Sequence, residues 1–377
     1  MKRIGIFVGG VFIGVLLGGG VALVARGRPE LQVSTTTSSS NGVAVRPVDQ
    51  TVLLVWTSGG LPAGLAELVG GQPGVASLTV VRGDLITVPG PDGVIPIDAL
   101  AVEGDYQEFV PAADRAEFDR LGARDAILGT TSATLRRLAR GDAVEVGEGV
   151  QFTVRAVVPD VVVGGAEMVL SIEAGEALGV VTPRFLLVSI DGERAAVEAA
   201  IRGLIRDVPV RVRGPGETPF MRHGDAVLPQ SFVKAAFGEF SYSAGSGRGI
   251  IPDEQWVAAN IVTEEVPILG TVRCHREVVP ALRGALQQLV DEGVARVVDV
   301  AGFAGCYEPR LIAPGAGLSR HSWGIALDIN YSENQKGVGS SQDPRLVEVM
   351  ERWGFGWGGR WLIPDPAHFE WIRPPIP

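Results

Sequence analysis

The chain has 377 residues, of which 46% are hydrophobic and 20% charged, so it is long enough for two domains with apolar cores and is not a disordered chain. Its formal net charge is -10 at pH 7 and its pI is about 5.1. Because nucleic acid binds basic surfaces, this acidic balance excludes it as an expected partner.

The first element is a long uncharged segment, residues 4–25, preceded by two basic residues. As a helix that rises about 1.5 Å per residue, it can cross a hydrocarbon core roughly 30 Å thick. It is longer than the apolar region of a cleaved signal peptide, about 7–15 residues, and lacks a clear cleavage site. We therefore expect a signal anchor over residues 1–28, with a cleaved signal peptide as the alternative. Residues 29–50 are rich in Ser and Thr and predict a flexible linker.

An anchor of this kind predicts a single-pass protein of the cell membrane whose C-terminal body is extracytoplasmic, on the cell-wall side. Such a compartment is oxidising, which bears on the only two cysteines, Cys274 and Cys306. Two thiols outside the cytoplasm most often form a disulfide, and we expect one here. The alternative is a pair of small buried thiols.

Residues 51–212 predict a mixed α+β domain. Runs rich in β-branched residues at 150–164 and 184–190 are bounded by turn residues and predict strands. Apolar residues recur at helical spacing over residues 193–207, which predicts a helix. The domain contains no His or Cys and no evident catalytic cluster.

Three stretches of this domain carry a family resemblance: GLPAGLAELVGGQPGVASLTVVRG, ILGTTSATLRRLARGDAVEVG and RFLLVSIDGERAAVEAAI. They resemble the extracytoplasmic domain of MacB/FtsX-type ABC-transporter permeases. The resemblance implies a scaffold or interaction domain outside the membrane, with a possible protein partner bound through residues 51–212. It does not imply a transporter, because we expect none of a permease's further membrane spans.

A Gly- and Pro-containing boundary, RGPGET, separates this domain from residues 213–377. Within the second body, residues 276–292 and 343–354 predict helices. The second of these has Asp343 as its N-cap and a proline at its first position. The apolar run 295–303 predicts a strand. We expect an α+β fold with a small antiparallel sheet.

Two clusters near the C-terminus combine histidine with carboxylates. In WGIALDIN, a strand would place the large apolar residues on one face and Asp328 on the other, beside small residues, with His321 just before it. In IPDPAHFEWI, a second strand would place His368 and Glu370 on one face. Asp365 precedes His368 by three residues, a separation that one turn can fold back.

Two imidazoles and one carboxylate are typical of catalytic zinc, which keeps a fourth position open. His321, Asp328 and His368 are therefore candidate Zn²⁺ ligands, and Asp365 is the candidate base that takes a proton from water. Each residue alone has a structural alternative. His321 could cap a loop, Asp328 could cap a strand, Asp365 could form a turn, and His368 could be a satisfied core histidine.

The residues SRHSWGIALD, followed by DPAHFEW, fit the pattern S-x-H-x-x-G-x-A-x-D and its downstream partner. Over about residues 250–373 the chain resembles zinc D-alanyl-D-alanine carboxypeptidases of the VanY type. It is most similar to their subgroup with L-alanyl-D-glutamate endopeptidase endolysins. The resemblance implies that His321, Asp328 and His368 bind zinc and that Asp365 is the catalytic base.

The same resemblance suggests roles for other residues. Arg310, in GCYEPR, is the candidate that steadies the oxyanion, with Arg273 and Arg276 as rivals. Glu370 would orient a ligand imidazole, and Ser319 would make a supporting hydrogen bond.

These expectations describe a membrane-anchored zinc metallopeptidase that cleaves a peptidoglycan stem peptide. Whether it removes a terminal D-Ala or cuts between L-Ala and D-Glu is left open by the sequence. The alternative is a catalytically silent binding or regulatory module of the cell envelope with a metallopeptidase fold. Because all ligands and the base are present, the sequence favours the enzyme.

Overall fold

The computed structural model describes residues 51–147, 149–204, 208–218, 220–312 and 317–372. The predicted anchor and linker over residues 1–50 lie outside this part of the chain. Contacts divide the chain into Met1–Ala44 and Val45–Pro377, and all described residues belong to the second unit. None of the helices in the described part combines the length and apolar composition needed to cross a bilayer.

The largest sheet in the described part of the chain has eleven strands. They are β1 Val52–Thr57, β2 Val75–Gly90, β3 Gly93–Val102, β4 Asp125–Gly129, β5 Ala143–Val146, β6 Val150–Val158, β7 Met168–Ser171, β8 Pro183–Ile190, β9 Val210–Arg213, β10 Tyr242–Ala244 and β11 Ile250–Pro252. The main path runs β5-β6-β4-β7-β3-β2-β8-β1-β9, and β10 and β11 join it through β3. All six residues of β1 are buried between β8 and β9, as expected of its continuous apolar run.

Nine α-helices lie in the described residues. They are α1 Leu65–Gly70, α2 Arg115–Phe118, α3 Thr130–Arg136, α4 Ile172–Ala177, α5 Arg194–Leu204, α6 Gln230–Phe237, α7 Glu254–Asn260, α8 Val279–Asp291 and α9 Pro344–Arg352. Three of them, α5, α8 and α9, confirm helices predicted from apolar periodicity. At α9 the side chain of Asp343 accepts a hydrogen bond from Arg345 N at 2.9 Å, so the predicted N-cap is confirmed.

Two smaller sheets complete the described fold. Strands β12 Ile261–Val266 and β13 Gly270–His275 form a hairpin, and β14 Ala326–Asp328, β15 Phe355–Trp357 and β16 His368–Trp371 form a sheet in the order β14-β16-β15. All pairs in both sheets are antiparallel, which confirms the small antiparallel sheet.

The strand predicted over residues 295–303 is wrong. The segment forms two short 3-10 turns, Ala295–Val297 and Val300–Gly302. Asp299 starts the second turn because its side chain accepts a hydrogen bond from Ala301 N at 3.0 Å. The β-branched residues give the segment strand propensity, but this local cap bends the backbone instead.

Buried charges cross the predicted boundary near residue 213. Lys234 Nζ on α6 lies 2.8 Å from Glu167 Oε1 beside β7, and the two side chains are 1% and 0% exposed. Arg136 also contacts Glu167, at 2.9 Å, and contacts Glu239 at 2.6 Å. The start of the second predicted body is therefore tied to the large sheet by a dry ionic cluster.

Candidate active site

His321 is positioned by a 3-10 turn, Arg320–Trp323. The two ends of this turn explain the serine and the glycine of the pattern S-x-H-x-x-G. Ser319 Oγ accepts a hydrogen bond from His321 N at 3.3 Å and so caps the start of the turn. Gly324 ends it with a φ of 66°, and its carbonyl accepts a hydrogen bond from His275 N at 2.9 Å. A Cβ at Gly324 would stand 2.7 Å from His275 N, so only glycine fits this left-handed position.

Asp328 is positioned by the alternation of β14 and its flanks. Ile325, Leu327 and Ile329 are each no more than 1% exposed and pack in the core beneath the small sheet. Asp328 points to the opposite side, where its side chain is 14% exposed. The apolar face therefore fixes the direction in which the carboxylate points.

His368 begins β16, directly opposite Asp328 in the antiparallel register. Its backbone N–H donates to Asp365 O at 3.0 Å, and Asp365 N donates to Gly358 O at 2.9 Å. A Cβ on Gly358 would lie 2.6 Å from Asp365 O and 3.1 Å from His368 Cβ. The DPAH turn therefore packs against Gly358, where there is no space for a side chain.

Two imidazoles converge on one carboxylate oxygen of Asp328. His368 Nδ1 lies 3.1 Å and His321 Nε2 lies 3.4 Å from Asp328 Oδ1. One ligand atom from each residue lies within 4.8 Å of the other two, which makes the three a possible metal-binding group. Two imidazoles and a carboxylate leave a fourth position open, as catalytic zinc requires.

The hydrogen bonds of His321 fit a metal ligand. Its Nδ1 lies 3.0 Å from the carbonyl oxygen of Cys306, which makes Nδ1 the protonated nitrogen. Its Nε2 is buried and has no hydrogen-bond partner among the described residues. A buried imidazole nitrogen is costly without a partner, and a zinc ion beside it would supply one.

Glu370 stands behind His368. Glu370 Oε2 lies 3.6 Å from His368 Nε2, and Oε1 accepts a hydrogen bond from Val227 N at 3.3 Å. A carboxylate at this nitrogen favours Nδ1 as the atom that faces a metal. The role of Glu370 in orienting an imidazole stays a prediction, for which this placement supplies the required proximity.

The ionisable side chains at this site shift one another's pKa values. Burial alone would raise the pKa of Asp328, but the neighbouring imidazoles of His321 and His368 hold it well below its usual range. Burial would lower the pKa of His368, yet Asp328 and Glu370 raise it to about 9. Asp328 is therefore ionised, the state in which a carboxylate binds a metal.

Asp365 lies in the same cavity and forms no ion pair with the described residues. Burial raises the pKa of its carboxyl, and the negative charge of Asp328 adds to this, whereas His368 and Lys336 oppose it. A raised pKa makes a carboxylate a better proton acceptor than an exposed aspartate.

Arg310 also lines the cavity, but its Nε is paired with Glu308 Oε2 at 3.1 Å. Its backbone N–H donates to Ser322 Oγ at 3.0 Å, which ties it to the turn that carries His321. The rival Arg273 stacks over the ring of Tyr307 at 4.7 Å. Neither Arg273 nor Arg276 is among the described residues that line the cavity.

The two cysteines are bridged, with a Cα–Cα distance of 5.3 Å, which confirms the predicted disulfide. The bond joins β13 to the segment that precedes the 3-10 turn carrying His321. Because Cys306 O is the partner of His321 Nδ1, the disulfide holds a carbonyl that orients a candidate ligand.

A cavity of about 370 Å³ contains the whole set. One wall comes from residues 310–370. The other comes from the large sheet and the segment after β9, including Trp56, Asp98, Arg184 and Arg222. The sequence does not predict this second wall, because residues so distant in the chain share no local motif.

The sequence profile of a family described as D-alanyl-D-alanine carboxypeptidase matches residues 313–371. No curated protein sequence matched the chain.

Two solved structures are similar at low scores. One is the periplasmic region of MacB from Actinobacillus actinomycetemcomitans, with 12% identity, a TM-score of 0.31, and coverage of 46% of this chain and 92% of that chain. The other is the extracellular domain of the noncanonic ABC-type transporter YknZ from Gram-positive bacteria, with 12% identity, a TM-score of 0.29, and coverage of 40% and 88%. Scores this low do not establish a shared fold.

The profile match spans His321, Asp328, Asp365 and His368, the residues that the structure brings together. The segment 313–371 is therefore similar in sequence to D-alanyl-D-alanine carboxypeptidases, and the structure brings four of its side chains together at one site.

Proposed function

We propose that the protein is a zinc-dependent peptidase that hydrolyses a peptide bond in peptidoglycan stem peptides, of the D-Ala-D-Ala carboxypeptidase or L-Ala-D-Glu endopeptidase type. The observation that carries this proposal is the convergence of His321, Asp328 and His368 in one cavity with Asp365. All four residues fall in the segment similar to D-alanyl-D-alanine carboxypeptidases.

A zinc ion held by the three ligands would polarise the scissile carbonyl and bring the pKa of a water molecule toward about 7. Asp365 would accept a proton from the attacking water and pass it to the leaving amine. Arg310 would steady the oxyanion after leaving Glu308. That exchange costs little because the Glu308 side chain is 61% exposed and surface ion pairs are weak.

The proposal extends to location. Residues 1–28 would anchor the chain in the membrane as a single pass and place the body on the cell-wall side. Support comes from the apolar run at 4–25 and from the disulfide, which is typical of oxidising compartments. A protein partner bound through residues 51–212 is a further part of the proposal and is supported by the sequence resemblance alone.

The test is mass spectrometry of purified muropeptides after digestion by the full-length protein. Loss of a terminal D-Ala would identify the carboxypeptidase, and separation of L-Ala from D-Glu would identify the endopeptidase. A chelator should stop either reaction and added zinc should restore it. Asp365→Asn should lower kcat by about 10²–10⁴-fold with zinc content unchanged, whereas His321→Ala should lose zinc.

A protein that binds one zinc ion and cuts neither bond would contradict the proposal. It would instead support the silent binding module.

A further inference from the structure

Two arginines in the cavity wall form no ion pair with any described residue. Arg222 follows β9, and its guanidinium donates one hydrogen bond, to Ala226 O at 2.6 Å. Arg320 lies in the ligand turn and donates to Leu228 O. Neither guanidinium has a carboxylate within ion-pair distance in the described part of the chain, although both residues are partly buried and line the cavity.

Neighbouring arginines contrast with this pair. Arg184, in the same wall, is held by Asp84 at 2.7 Å, and Arg211 is held by Asp225 at 2.8 Å. Arg222 and Arg320 each use a single guanidinium hydrogen bond among the described residues, so most of their donors have no partner there. A partly desolvated guanidinium with free donors is a favourable site for a carboxylate, which it can bind through two parallel hydrogen bonds.

The carboxylates near Arg222 and Arg320 leave the donors of both guanidinium groups available to an anion. Burial lowers the pKa of Arg222, and the negative charges of Asp98 and Glu370 oppose this shift. Glu370 is already engaged with Val227 N and faces His368. The nearby carboxylates thus act on the arginines through space without occupying their donors.

Trp56 adds a further donor from the large sheet. It lines the cavity, is 4% exposed, and its indole N–H has no hydrogen-bond partner among the described residues. Buried indole N–H groups usually find an acceptor.

We propose that Arg222, together with Arg320, binds a carboxylate of the substrate and so selects the peptide that reaches the zinc ligands. This inference rests on the proposed function and deepens it. Arg222 lies outside the peptidase-like segment, so specificity is supplied by the wall that the rest of the chain builds. The cavity of about 370 Å³ is near the small end of ligand sites, which suits the end of a short peptide.

The carboxylate has two sources in a stem peptide. It is the C-terminal carboxylate if the protein removes a terminal residue, or the free carboxylate of D-Glu if the protein cuts before that residue. Binding of two matched pairs of probes separates these sources. One pair is Nα-acetyl-L-Lys-D-Ala-D-Ala and its C-terminal amide. The other is an L-Ala-D-Glu peptide and its D-Gln counterpart.

The experiment is calorimetric titration of these probes into full-length, zinc-loaded protein carrying Asp365→Asn, which prevents turnover. We expect one acidic probe to bind at least about tenfold more tightly than its neutral counterpart, a difference of about 1.4 kcal/mol. Adding Arg222→Gln should remove that preference and leave the neutral probe's affinity unchanged. Arg211→Gln, which removes a nearby arginine outside the cavity lining, should keep the preference.

Equal affinity for acidic and neutral probes in both pairs would overturn the proposal. So would an Arg222→Gln protein that loses affinity equally for both members of a pair, because that result indicates a structural role. If Arg222→Gln does not fold, Arg222→Lys replaces it. It should retain part of the preference, and a fully neutral response from a folded Lys variant would also overturn the proposal.

Failure of the proposed function is detected separately. Hydrolysis is measured with Asp365 intact, whereas this binding is measured without turnover. Selective carboxylate binding in a protein that never cuts a stem peptide would contradict the enzyme and uphold the role of Arg222.

Discussion

The carbonyl oxygen of Cys306 lies 3.0 Å from Nδ1 of His321, so a disulfide-bonded residue fixes the ring of a candidate zinc ligand. Backbone partners of this kind set the tautomer and orientation of a ligand, and their loss typically costs about 10–100-fold in metal affinity. The disulfide therefore restrains the peptide group whose carbonyl oxygen orients the candidate zinc ligand.

Replacing both Cys274 and Cys306 with serine should weaken zinc binding by about tenfold or more. It should also lower the free energy of unfolding by about 2–4 kcal/mol, because the unfolded chain loses a cross-link. Competition with a chromogenic chelator measures the first quantity and urea titration the second. Treating the double serine variant with reductant is the control and should change nothing. Unaltered zinc affinity in the variant would show that Cys306 O keeps its position without the bond.

Gly358→Ala should damage the site through a steric clash. The new Cβ would meet Asp365 O at 2.6 Å, so the turn that carries the candidate base must move. We expect a loss of about 1–3 kcal/mol in stability and a fall in kcat. Gly339→Ala is the matched control, because no atom lies within 4 Å of its added Cβ. Equal kinetics and melting temperatures for the two variants would refute the close contact at Gly358.

His275 should make stability depend on pH. The residue is 2% exposed, and burial lowers its pKa from 6.5 to about 4. Between these values the unfolded chain binds a proton that the folded chain does not, so stability falls as pH drops from about 6.5 toward 4, by at most about 1.4 kcal/mol per pH unit. Above pH 6.5 the residue has no effect.

Urea unfolding at pH 4.5, 5.5 and 7.5 should show this slope in the parent protein and a smaller one in His275→Gln. The same pH dependence in both proteins would contradict a neutral buried imidazole.

Lys234→Met should destabilise the protein strongly. The substitution removes one of the positive charges paired with Glu167, whose side chain is 0% exposed. Breaking a buried ion pair costs about 3–5 kcal/mol. Arg136 still contacts Glu167 and places the expected loss at the lower end of that range. Arg283→Met is the control, since its pair with Glu264 is about half exposed and should contribute no more than about 1 kcal/mol. Similar losses in the two variants would count against a dry cluster.

The local parts of the site could be predicted from the sequence. Alternation around Leu327 predicted the side from which Asp328 projects, and Asp343 predicted the start of α9, because both depend on residues only a few positions apart. The disulfide was predicted from the number of cysteines and from the expectation of an oxidising compartment.

The distant wall of the cavity could not be predicted in this way. Arg222 faces the ligand cluster only because the segment after β9 returns beside the small sheet, where Leu362 N donates to Asp225 Oδ2 at 2.7 Å. No periodicity or motif reports such a contact. The strand predicted over 295–303 was wrong for a related reason, since propensity did not include the cap that Asp299 provides.

The register of β14 against β16 decides whether the third candidate ligand reaches the other two. Asp328 stands opposite His368, and side chains alternate along each strand, so a slip by one position would present Phe369 where the imidazole should be. A slipped sheet would keep only His321 and Asp328 together, without the third ligand. Loss of zinc on heating would then coincide with the melting of this small sheet, and a zinc-sensitive dye would report strand pairing directly.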